Sequence, residues 1–129
     1  MSYLWLALWF ALMGGSVAAH EAAHVFAGKH FGWTYNGIIF KPWLLAIGVQ
    51  LDPPEGDDKD LWKIAAAGPV ITAEIAGLFW HLQDLGGQAG AIFGSLFAFN
   101  AVLLVINLAP FPFTDGGLIV RGLRDRSTA

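Results

Sequence analysis

Residues 3–19 (YLWLALWFALMGGSVAA) carry no charged side chain, and the apolar pattern runs on through His20-Glu21-Ala22-Ala23-His24 to about Lys29. One helix from about residue 2 to about residue 30 would be about 42 Å long at 1.5 Å per residue, enough to cross a hydrocarbon core of roughly 30 Å. Two similar stretches follow, at about 61–82 (LWKIAAAGPVITAEIAGLFWHL) and about 91–108 (AIFGSLFAFNAVLLVINL). The fold expected is therefore an all-α membrane protein, a single domain over residues 1–129 with three transmembrane helices. Composition agrees, because 13% of the residues are charged against about 25% in soluble domains.

The segments between these runs read differently. In residues 33–51 (WTYNGIIFKPWLLAIGVQL), aromatic and β-branched residues flank Asn36-Gly37, the strongest short-range hairpin signal. A small β-hairpin or sheet is expected between the first two helices, inside a β and loop region covering 31–60. Pro42 confines its part of that region to a sheet edge or a break. The acidic, proline-containing stretch 52–60 belongs in water. Residues 83–90 read as a short glycine-rich loop, and 109–129 as a site loop and tail. The N-terminal run is not expected to be a secretory signal, since Met1-Ser2-Tyr3 carries no positive charge and the apolar pattern continues past His24.

Charge limits the partners. The formal net charge is −3 and there is no long basic run, so nothing points to nucleic acid. The expected partners are the lipid bilayer and a membrane-protein substrate helix, with a homo-oligomer also open. All seven Lys and Arg residues fall in or beside the 29–63 connection and in the C-terminal tail. The positive-inside rule then sets the N-terminus outside and the C-terminus in the cytoplasm of a cell that carries this multi-pass protein in its plasma membrane. In that topology His20 and His24 lie in the cytoplasmic half of the first helix. Asp115, almost a hundred positions later, lies just past the cytoplasmic end of the third.

His20 and His24 are four residues apart, so on a helix their imidazoles stack on one face and can reach a single zinc ion. Glu21, one step round the helix, suits a general base. The five-residue pattern alone also recurs on ordinary helices. Inside an apolar helix, however, ionisable groups cost on the order of 2.5–3.5 kcal/mol each and usually mark function. A catalytic zinc needs a third protein ligand, and Asp115 is the best placed. The absence of cysteine leaves only His, Asp and Glu for that role.

At this point the chain resembles the site-2 protease family of intramembrane zinc metalloproteases. That family pairs HExxH on one transmembrane helix with N-x-x-P-x-P-x-x-D-G-G near the end of a later one. Asn107-Leu108-Ala109-Pro110-Phe111-Pro112-Phe113-Thr114-Asp115-Gly116-Gly117 matches every specified position, and Asn100 falls where the family commonly has Asn. The family's middle helix usually carries Gly-Pro and then Asn three residues on; Gly68-Pro69 fits, but that position is Thr72. The resemblance covers roughly residues 10–120, the family's three-helix catalytic core, without accessory PDZ or CBS modules.

The resemblance implies a zinc metalloendopeptidase that hydrolyses peptide bonds in or near a substrate's transmembrane segment. One Zn2+ would be held by His20, His24 and Asp115, with Glu21 as the catalytic base. Asn107, Thr72 and Gly68 would support the site or the substrate. For Asn107 both a substrate contact and helix-packing hydrogen bonds stay open. Glu74, an acid inside the second helix, is either neutral or hydrogen-bonded within the bundle, or moves protons or touches metal. His30 is expected in solvent and His81 at the outer interface beside Trp80. The motifs of serine and aspartyl membrane proteases, G-x-S-G and G-x-G-D, do not occur. The competing readings are a non-catalytic zinc-binding membrane module or chaperone, and a metal-handling transporter.

Overall fold

The computed structural model describes residues 2–41 and 46–127. Helix α1 (Tyr3–His30) is followed by strands β1 (Thr34–Lys41) and β2 (Ala46–Asp52), then α2 (Leu61–Leu82), α3 (Gly87–Leu108) and α4 (Asp115–Ser127). The first three helices are each long and apolar enough to cross a membrane. The molecule is an all-α membrane protein with a small two-stranded antiparallel sheet between α1 and α2.

The first span turns its apolar side outward and hides its polar one. On α1 the buried residues are Ser16, His20, His24 and Gly28, a strict four-residue stripe, whereas Leu4, Phe10 and Phe26 are exposed. In water this helix would be inside out. In hydrocarbon the outward side chains lose nothing, and polar groups gain by meeting one another between helices.

The bundle is layered along its axis. At the end holding the start of α1, Phe79, Ile92 and Leu96 form an apolar cluster with Trp9 and Leu12 against it. There the Trp9 indole donates to Ser95 Oγ at 2.8 Å. One layer further in, the fully buried Asn100 amide donates to Ser16 Oγ at 3.2 Å and to the Leu96 carbonyl at 2.9 Å, tying α3 to α1 one turn before His20. The histidines form the next layer.

Three boundaries differ from expectation. Asn36-Gly37 is not the hairpin turn. Tyr35 pairs with Leu51 and Ile38 with Val49, so Asn36 and Gly37 together face a single residue, forming a bulge inside β1. Gly37 supplies the positive φ of 113° that this bulge uses. The connection between the strands, with Pro42, lies outside the described residues. Helix α3 begins at Gly87, four residues ahead of the expected 91, because the glycine-rich link turns helical after a 3-10 turn at Gln83–Leu85.

The tail also differs: residues 109–114 are non-helical, but Asp115 onward is α4. Gly116 and Gly117 belong to its first turn. A Cβ on Gly116 would collide with the Leu108 carbonyl and one on Gly117 with the Phe111 carbonyl. The Gly-Gly pair therefore serves a close approach of helix to loop.

Candidate metal centre

His20 and His24 are 3% and 8% exposed, and their side chains point from α1 toward α2. The His24 Nδ1–H donates to the Ile64 carbonyl at 2.8 Å. A carbonyl can only accept, so the proton sits on Nδ1 and Nε2 keeps its lone pair. A carbonyl has two lone pairs, so Ile64 can accept from the imidazole as well as from its own helix. The His20 Nδ1 pairs with Thr72 Oγ1 at 2.8 Å, and in the Nδ1–H tautomer, from which that hydroxyl can accept, the second Nε2 is free as well. Thr72 thus takes the place of the expected Asn and does contact a candidate ligand.

Asp115 comes to this point from the far end of the chain. Its Oδ2 lies 3.0 Å from His20 Nε2 and 3.4 Å from His24 Nε2, and the two Nε2 atoms are 3.2 Å apart. Three lone-pair atoms at these separations repel one another unless a cation or a proton lies among them. Thr114 fixes the start of α4: the Gly117 N–H donates to its Oγ1 at 3.2 Å, an N-cap that sets Asp115 in the first turn. Thr114 was not singled out in the sequence, although Thr before Asp-Gly-Gly is a readable cap signal.

Glu21 completes the cluster. The ligand atoms of His20, Glu21 and His24 all lie within 4.8 Å of one another, so this group can hold a metal ion. Val49 of β2 stands at the same cavity as the Glu21 carboxylate. A cavity of about 430 Å3 opens here, lined by Glu21, Val49 and Asn107 as well as by both histidines and Asp115. Asn107 spends one amide hydrogen on the Leu103 carbonyl of its own helix, at 2.8 Å, while still bordering the cavity.

Gly68 closes the other side. A Cβ there would lie 2.5 Å from His24 Nε2 and 2.6 Å from His20 Nε2, in the space where the donor atoms converge. The remaining candidates do not join the centre. Asn100 sits in the layer beyond Ser16. Glu74 is not inside the bundle, as one reading had it, but on the exposed side of α2. His30 and His81 are exposed near helix ends.

Because Thr72 holds the His20 ring through Nδ1, a Thr72→Val change is expected to weaken metal binding about 10–100-fold, as loss of such an outer partner typically does. Thr72→Ser should retain most of it. Competition titration with a chromogenic chelator measures both. Comparison with protein-family models, curated proteins and solved structures returned no match.

Proposed function

We propose that this chain is a zinc-dependent intramembrane endopeptidase of the site-2 protease kind, hydrolysing peptide bonds in or beside a membrane helix. The observation that carries it is the triangle of His20 Nε2, His24 Nε2 and Asp115 Oδ2, with edges of 3.0, 3.2 and 3.4 Å, beside a carboxylate in the same cavity. In a tetrahedral centre with bonds of about 2.0–2.1 Å, neighbouring ligand atoms stand about 3.3 Å apart. Two neutral imidazoles and a carboxylate also suit zinc by donor type. Zinc held there would supply Lewis acidity toward the scissile carbonyl and lower the pKa of water.

The chain's own groups account for the remaining requirements. Glu21 takes a proton from the attacking water as its oxygen bonds to the carbonyl carbon. It then delivers that proton to the amine as the C–N bond breaks. Val49 of β2 lines the same cavity as Glu21, so the strand borders the carboxylate. A substrate helix buries its carbonyls in its own ladder and has to unwind before attack, which leaves backbone groups needing partners at membrane depth. Strand β2 borders the cavity through Gly48 and Val49 and offers an extended segment such partners by strand addition. The positive charges favour a cytoplasm-facing site in the plasma membrane, with the N-terminus outside.

The test is direct. Purified protein in lipid vesicles should contain one zinc per chain and cleave a transmembrane peptide, with activity lost to a strong chelator and restored by added zinc. Cleavage that survives complete metal removal would overturn the reading, as would a metal-loaded protein that cleaves no membrane peptide.

A further inference from the structure

Among the described residues, nothing covers the other side of helix α2. Gly68 and Thr72 point at the histidines. At 100° per residue, Val70, Glu74, Gly77 and His81 lie within about 40° of the opposite direction. All four are exposed, Val70 at 54%. Their spacing of four, three and four residues is a heptad seam, the pattern by which one helix packs along another. Nothing lies within 4 Å of where a Gly77 Cβ would stand, so a second backbone can approach closely there.

Glu74 makes the seam more than an apolar stripe. It lies about 20 Å along α2 from Leu61 and about 12 Å from Leu82, deep within a span. Among the described residues it is the one exposed Asp, Glu, Lys or Arg more than two turns from the end of any of the three spans. A carboxyl facing acyl chains has no hydrogen-bond partner, at a cost that membrane proteins normally avoid. It needs a protein neighbour at the same depth.

We infer that α2 is a homodimer interface, with the Val70, Glu74, Gly77 and His81 seam of one chain packed on that of a second copy. Chains inserted in the same direction can join two such faces about a two-fold axis along the membrane normal, so each seam residue meets its own counterpart at equal depth. Its two-fold mate gives the Glu74 carboxyl a polar neighbour at its own depth, whereas lipid tails offer none. A polar group at one seam position also fixes register and partner number. The interface lies on the far side of α2 from the histidines, so the cavity stays open.

The chain has no cysteine, which makes single-cysteine crosslinking clean. In native membranes under oxidising conditions, Val70→Cys, Gly77→Cys and His81→Cys should form covalent dimers at least ten-fold more than Phe10→Cys or Val102→Cys, which lie exposed on α1 and α3. In the Gly77→Cys background, Glu74→Leu should cut the dimer at least ten-fold, whereas Glu74→Gln, which keeps a polar group at that depth, should retain it. Equal crosslinking at seam and control positions, products of another mass, or Glu74→Leu without effect would each overturn the inference. The readout is molecular mass, independent of whether the chain cleaves peptides.

Discussion

Replacing Glu21 with Gln is expected to cut cleavage of a membrane peptide by about 10²–10⁴-fold, the usual contribution of a positioned general base, while leaving the metal in place. The substitution keeps the side chain's shape, so the strand and helix that line the cavity need not move. It removes only the group that accepts a proton near pH 7. Histidine and aspartate donors are untouched, and their mutual separations of 3.0–3.4 Å depend on Thr72, Ile64 and the α4 cap, not on Glu21. Elemental analysis beside the cleavage assay separates the outcomes. Unchanged turnover would mean that Glu21 is not the base, and loss of metal would make it a ligand.

The second large effect involves no donor atom at all. Gly68→Ala adds one methyl whose carbon would stand 2.5–2.6 Å from both Nε2 atoms, where ordinary contacts need well over 3 Å. Alanine improves intrinsic helix propensity by about 0.8–1.0 kcal/mol, so α2 itself should be no less helical. Metal affinity is nevertheless expected to fall by more than the 10–100-fold typical of a lost outer partner, and activity with it. Gly15→Ala, on α1 with nothing within 4 Å, is the control and should leave both unchanged. Helical content by circular dichroism together with metal stoichiometry decides the point. A Gly68→Ala protein that binds metal normally would show that α2 does not press on the imidazoles.

The spans were readable because their signal is one-dimensional. Expected limits of about 2–30 and 61–82 meet observed helices at Tyr3–His30 and Leu61–Leu82, since a run long enough to cross hydrocarbon allows backbone groups few alternatives to a helix. The errors fell where local patterns admit two outcomes. Asn-Gly supplies a positive φ equally well to a turn or to a bulge, and strand pairing at Tyr35 and Ile38 selected the bulge. Residues 109–129 read as a site loop and tail, yet Gly116-Gly117 lets the first turn of α4 lie against the loop carbonyls. No local propensity records that contact.

His20, Glu21 and His24 could be named from spacing alone, because a helix converts sequence separation into direction. Asp115 could be named as their partner from charge topology, but its 3.0 Å approach to His20 exists only because α4 docks on α2 beneath a Thr114 cap. The contact of Thr72 with His20 and the pressure of Gly68 against both rings are likewise products of how α1 crosses α2. The outward placement of Glu74 belongs to the same class. Periodicity tells which residues share a side of a helix, and only packing decides which side is covered. Residue order therefore determined the spans and the shared direction of His20 and His24, while assembly in three dimensions brought Asp115 beside them, set the His24 tautomer and left Glu74 uncovered.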